Sequence, residues 1–201
     1  MTIPKKLLLA IAATAAAAQV CAKGSMTSEW GLTAGVRYNW RTMFTGQRQI
    51  SLTPAVSYNI GVQAGLCFGE VAVQPELNYG YTAAKARIGE KDERTVSVKA
   101  HDLEIPLLVS LRVLPVVRFN AGPVFNVLST ASYSGGEDGN AMFGALSPTF
   151  GYAAGVSAVP TGKLLIDIRF TGYFQRTLNQ FEGDDFKTMP YSVGLKIGYL
   201  F

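Results

Sequence analysis

Each alternating stretch of this chain confines its charged residues to one of its two faces, and no other feature narrows the possible folds as much. The last eleven residues show it most cleanly. Tyr191, Val193, Leu195, Ile197, Tyr199 and Phe201 share one parity; Ser192, Gly194, Lys196 and Gly198 share the other. A β-strand sends successive side chains to opposite sides, so this segment has an apolar, aromatic face and a small or polar face. Seven earlier stretches repeat the pattern. Their polar faces carry Arg37 in the first, Glu76 in the third, and Asp102, Glu104 and Arg112 in the fourth. Arg118 falls in the fifth, and Asp167 with Arg169 in the seventh. The second and sixth stretches, about 54–68 and 149–158, have uncharged polar faces.

Such separation has an energetic cause. A lysine or arginine on the lipid side of a membrane barrel costs roughly 2–4 kcal/mol at mid-membrane, whereas a lumen position tolerates it. In hydrocarbon every backbone N–H and C=O must be paired, so strands cross a membrane only as a closed barrel. The pattern therefore predicts an all-β fold, an eight-stranded antiparallel up-and-down transmembrane β-barrel. Pro75, Pro106 and Pro123 fall inside strands and each removes a ladder donor, which bulges would have to absorb.

The connections alternate in length. Those at Phe68 to Glu70, Leu114-Pro115 and Pro160 to Lys163 are tight, whereas 41–53, 83–97, 130–147 and 176–189 read as long polar loops. Short periplasmic turns and long extracellular loops are what outer-membrane barrels have. Aromatics gather at strand ends: Trp30, Phe68 and Phe201 toward one rim, Trp40, Tyr81, Phe174 and Tyr191 toward the other. Girdles at the two membrane interfaces explain this better than core packing. A secreted soluble barrel of lipocalin type also alternates, with its charge-free face turned inward. It would have to bury the strand-end aromatics, and it leaves the terminal Tyr199 and Phe201 unexplained. On a membrane barrel they form the closing-strand signal read by the barrel-assembly machinery.

At the other end, Lys5 and Lys6 precede an apolar run from Leu7 to Ala18 and then Val20-Cys21-Ala22. This reads as a secretory signal peptide over 1–22, with the barrel domain over 23–201. The run is shorter than the roughly 20 residues a spanning helix needs. A lipid anchor on Cys21 is the rival, disfavoured by the bulky Val20 before it. Cleavage leaves Cys67 as the one cysteine, a small packing filler, and lowers the net charge from +4 to +2. That charge gives no reason to expect nucleic acid.

Four segments also resemble a known family. Val73-Gln74-Pro75-Glu76-Leu77-Asn78-Tyr79 resembles the "LQPELLYS" strand of the PorT-like outer-membrane β-barrel family. Leu103-Glu104-Ile105-Pro106-Leu107-Leu108 is similar to its "YLEIPLL" strand, Ala121-Gly122-Pro123 to its "AGPY" segment, and Gly151 to Val156 to its "GLVAGVG" strand. The resemblance implies one eight-stranded barrel in the outer membrane of a Gram-negative cell, reached through the periplasm. The family takes its name from a member needed by a system that secretes proteins across that membrane. The aromatic usual before Leu-Glu-Ile-Pro is Asp102 here.

An eight-stranded barrel is just wide enough for side chains to fill it. The inward set of Arg37, Arg112, Arg118, Arg169 and Lys196 faces Glu76, Asp102, Glu104 and Asp167, which predicts a lumen charge network that plugs the barrel. The same residues as an ion or proton path are the functional alternative. No catalytic, metal or cofactor site is expected. His101 is the one histidine and sits at a strand end, and Glu182 with Asp184-Asp185 and Glu137-Asp138-Gly139-Asn140 read as solvated loops. Arg87, Lys91 and Arg94 alternate with Glu90, Asp92 and Glu93, a charged loop placed to meet lipopolysaccharide phosphates. Expected partners are outer-membrane lipid, lipopolysaccharide and the assembly machinery, with a protein partner unidentified. The expected role is structural or binding, through extracellular loops, and non-enzymatic. The alternative is transport, as a small solute channel or an accessory of a secretion system.

Overall fold

A computed structural model describes residues 26–45, 50–52, 54–88, 94–134, 142–143, 150–174, 177–181 and 184–201. Eight long strands form the wall: β1 (Met26–Thr45), β3 (Ala55–Phe68), β4 (Val71–Ile88), β5 (Arg94–Leu114), β6 (Val117–Ser134), β8 (Phe150–Ala158), β9 (Leu164–Tyr173) and β11 (Asp184–Leu200). Three short ones, β2 (Ile50–Leu52), β7 (Met142–Phe143) and β10 (Thr177–Phe181), pair with β4, β6 and β11 at one end of the cylinder. Each wall strand runs antiparallel to the next, and β1 pairs with β11 from Gly31 opposite Leu200 to Thr45 opposite Phe186. The ring is closed, with no free edge left in the wall. The amide of Phe201 donates to the Trp30 carbonyl at 2.8 Å, extending the seam to the last residue.

The charge-free parity faces outward. Trp30 is 62% exposed, Ile60 62% and Ile197 54%, while Glu76, Glu104, Asp167, Arg169 and Lys196 are buried. This overturns the soluble alternative, in which the two faces would be exchanged. Large aliphatics on the outside and ionised side chains on the inside make sense only if hydrocarbon wets the wall.

The expected long loops need correction. The segments 83–97, 130–147 and 176–189 are not loops throughout. The β4–β5 ladder continues to Ile88 opposite Arg94, β6 runs to Ser134, and β11 begins at Asp184, so Asp184 and Asp185 start a strand. Likewise β1 extends to Thr45. A membrane crossing takes roughly 9–11 residues, whereas β4 and β5 have 18 and 21. Beyond the hydrocarbon their apolar and polar faces are exchanged, with Val98 and Ala100 turned inward and Ser97 and Lys99 outward, so the apolar exterior that marks a membrane strand is missing. Glu90 to Glu93, Glu137 to Asn140 and Glu182 lie outside the described residues, as do residues 1–22 with Cys21.

The prolines are absorbed locally. The β5–β6 register shifts between Leu103 and Glu104, so that Val127 is the extra residue of a bulge and both Val127 and Leu128 face outward. Opposite Gly122 and Pro123 the ladder is interrupted at Leu107 and Leu108. A Cβ on Gly122 would strike the Leu107 carbonyl, so only glycine lets the strands approach here. Gly69 and Gly162, with φ of 65° and 75°, make the tight turns after β3 and before β9.

Ile197 lies opposite Ala34 and Ile166 on the apolar exterior. Ile197→Arg is expected to destabilise the barrel by roughly 2–4 kcal/mol in phospholipid vesicles, read as a lower urea midpoint. On a water-exposed wall the same change would be close to neutral.

Candidate functional site

Lumen side chains are held by the inward parity of strands on opposite sides of the ring. Arg37 on β1 reaches β5, where Nη1 donates to both Glu104 oxygens at 2.9 and 2.7 Å and Nη2 to Asp102 Oδ2 at 3.0 Å. Tyr173 on β9 donates its hydroxyl to Glu104 Oε1 at 2.7 Å. Deeper in, Arg169 on β9 meets Glu76 on β4 in a two-pronged pair at 2.7 and 2.9 Å. Arg169 also donates to Asp167 at 2.9 Å, and Lys196 on β11 donates to Glu76 Oε2 at 2.7 Å. Gln74 and Asn78 each donate to Glu76 at 3.0 Å. Nearest the tight turns, Arg118 on β6 pairs with Glu29 on β1.

These contacts are struts. Around the ring, β4 and β9 stand four strands apart, as do β1 and β6, the maximum that eight strands permit. The planar guanidinium fork suits a bidentate carboxylate, and ionised partners make the stronger hydrogen bonds. Between struts the lumen is filled by an apolar cluster of Leu108, Val124 and Ala153, and near the tight turns by Val159, Leu165 and Leu200. A cavity of about 20 Å3 remains beside Arg37, Asn59, Asn78, Glu104, Arg169 and Lys196. A single water needs roughly 10–15 Å3, so this space admits water and no solute.

Arg112 does not join the network. It is half-buried, faces Arg118 across the β5–β6 ladder, and has no ion-pair partner among the described residues. The ladder shifts register between Arg112 and Leu114, and the Arg112 amide donates to the Glu70 carbonyl at 2.7 Å. Glu29, the inward acid near that level, pairs with Arg118.

Three participants escaped the sequence reading. Glu29 shares the parity of Arg37 but precedes the Trp30 at which the apolar run starts. Tyr173 has inward parity, a large aromatic whose hydroxyl needs a partner once buried. Gly80 makes room for the Arg37–Asp102 pair: a Cβ there would strike Asp102 and lie 2.7 Å from Arg37 Nη2. Inward parity marks all three; the partners themselves follow from the tilt of the ring.

On the outer wall, Trp40 stacks with Tyr191, both touch Phe170, and a chain of ring contacts continues through Tyr152, Phe174 and Phe150 to Phe125. The band thus crosses β1, β11, β9, β8 and β6, taking in Phe174 beyond the end of β9. Tyr81 lies on the opposite side, with its ring 5.1 Å from that of His101, whose Nδ1 is 2.6 Å from the Tyr79 hydroxyl. At the tight-turn end, Phe68 borders its turn, and Tyr199 and Phe201 meet edge to face at 5.4 Å with Lys163 over the Tyr199 ring.

A closed eight-strand cylinder with an aliphatic exterior, charged struts inside and long strand extensions at one end is a bacterial outer-membrane barrel. The chain belongs to the family described as outer membrane protein beta-barrel domain, whose model matches residues 17–201. It is located in the cell outer membrane. Among solved structures it is similar to the outer membrane protein OprG of Pseudomonas aeruginosa, at 10% identity and a TM-score of 0.52, covering 89% of this chain and 98% of that one. It is also similar to Ail, the attachment invasion locus protein of Yersinia pestis (13% identity, TM-score 0.49, covering 87% and 99%), and to Neisserial surface protein A (13%, 0.47, 86% and 98%). No curated protein matches the sequence.

Removing the Glu76 charge strands Lys196 in a closed interior and leaves Arg169 only Asp167. Glu76→Gln is expected to destabilise the barrel by about 3–5 kcal/mol, measured by urea unfolding in vesicles. Changing Lys196 to Met in the same chain should restore most of the loss, since Arg169 keeps Asp167 at 2.9 Å and the stranded cation is Lys196.

Proposed function

We propose that this protein is a closed, non-enzymatic barrel that serves a structural or binding role through its extracellular extensions. One observation carries the reading: among the described residues, cross-lumen struts and the Leu108, Val124 and Ala153 cluster cross and fill the lumen, leaving a cavity of about 20 Å3 beside Arg37. A cylinder filled in this way offers its surfaces rather than its interior. The outward-standing parts of β4, β5 and β6 are the natural surface, since binding residues concentrate on projections from a rigid scaffold. His101 supports a non-enzymatic role, because it is tied to two tyrosines on the outer wall rather than set beside a nucleophile.

In this reading residues 1–22 are an export signal and 23–201 the mature barrel. The closing strand with Tyr199 and Phe201 is presented to the assembly machinery, and lipopolysaccharide surrounds the outer rim. Kinship to the PorT-like branch gives the second reading, an accessory part of a protein-secretion system. It is favoured by the Gln74-Pro75-Glu76-Leu77 and Leu103-Glu104-Ile105-Pro106 segments, whose glutamates Glu76 and Glu104 receive the central struts. Both readings use a closed barrel.

Planar-bilayer recording is the direct test. The folded protein is expected to give no discrete conductance steps, and reproducible single-channel openings would replace this reading by a solute channel. Crosslinking in whole cells followed by affinity capture separates a lone barrel from a secretion component.

A further inference from the structure

Where its side chains are described, the outward face of the wall carries almost no charge, and the exceptions stand together. Among the outward-facing strand positions whose side chains the structure describes, Lys85 on β4 with Lys99 and His101 on β5 are the basic ones. The register sets them in one patch: Tyr81 opposite His101, Ala83 opposite Lys99, and Lys85 opposite Ser97. Lys85 and Lys99 are therefore diagonal neighbours, within about 7–8 Å. Small residues, Ala83 and Ser97, fill the remaining corners and leave both lysines exposed. Neither has an ion-pair partner among the described residues. Across the next ladder Lys99 faces Ser132 and His101 faces Thr130, which adds hydroxyl donors to the same surface.

The patch continues the lipid-facing column of the same two strands. Below it come Tyr79 and Tyr81, then Leu77 and Leu103. Four residues separate Tyr81 from Lys85, about 10 Å along the barrel axis at the usual rise and tilt. That height lies just above the tyrosines, where headgroups begin. Behind it the wall is packed, with Thr82, Val98, Ala100 and Ala131 buried on the inner side, so the cations are held on a rigid surface. Two unpaired lysines at headgroup height, above an apolar track, match an amphiphile with an anionic head and acyl chains.

Resting only on the outer-membrane location, we propose that Lys85, Lys99 and His101 bind the phosphate groups of a phosphorylated glycolipid of the outer leaflet. The lysines supply the charge, His101 with Ser132 and Thr130 hydrogen-bonds the head, and the acyl chains lie along Tyr79, Leu77 and Leu103.

The test uses the folded barrel in nanodiscs of zwitterionic phospholipid, titrated with bisphosphorylated lipid A and with enzymatically dephosphorylated lipid A, and read by native mass spectrometry. Wild type is expected to prefer the phosphorylated form by about 25-fold, from about fivefold for each of the two lysines near an anionic headgroup. The double variant Lys85→Gln/Lys99→Gln should lose that preference, and Lys85→Arg/Lys99→Arg should keep it. All three should retain the heat-dependent gel shift of a folded barrel. Equal binding of the two lipids by wild type, or an unchanged preference in the Gln variant, would overturn the site. So would displacement of lipid A by millimolar inorganic phosphate, which would mark a soluble-anion site. None of these results alters the membrane location, which the gel shift and the need for detergent report separately.

Discussion

The seam between β1 and β11 is the contact on which the rest depends. Hydrocarbon offers no hydrogen-bonding partner, so an open sheet would leave a full row of amides and carbonyls unsatisfied on each edge. Pairing from Gly31–Leu200 to Thr45–Phe186 removes both edges at once. Closure also fixes what the two faces mean. Once the ring is shut, one parity can meet only lipid and the other only the interior, and the charges follow.

An interior made of charges has to satisfy itself. Glu76 accepts from Arg169, Lys196, Gln74 and Asn78, and Glu104 accepts from Arg37 and Tyr173. Glycines opposite the long cations make this possible at a small diameter. Gly80 and Gly194 leave space where Arg37 crosses, and a Cβ on Gly194 would lie 2.8 Å from Arg37 Cγ. The filled lumen moves any binding to the outside, where the strand extensions and the basic patch of β4 and β5 are found.

Much of the architecture was readable because lipid imposes a strict rule on parity. Trp30 to Trp40 and Tyr191 to Phe201 could be placed as strands, with inside and outside assigned, from alternation alone. The rule lapses beyond the membrane. Around Lys85 and Lys99 the pattern is inverted, with Val98 and Ala100 turned inward and Ser97 and Lys99 outward, and strand was mistaken for loop. Cross-lumen partners were hidden for another reason. Inward parity identifies Arg169 and Glu76 as lumen residues, but which carboxylate a given arginine reaches depends on strand tilt and stagger, which no local pattern encodes. Arg112 shows the limit: its parity is right, yet a register shift beside the turn leaves it out of the pairs.

The struts also bear on how such a cylinder comes together. Glu76 is separated along the chain by 93 residues from Arg169 and by 120 from Lys196. A nascent sheet ending at β6 therefore holds an acid whose counterions have not yet arrived. Neutralisation waits for the last strands, and contacts so distant in sequence form slowly. Half-built intermediates are penalised electrostatically, and the chain is driven toward all-or-none completion.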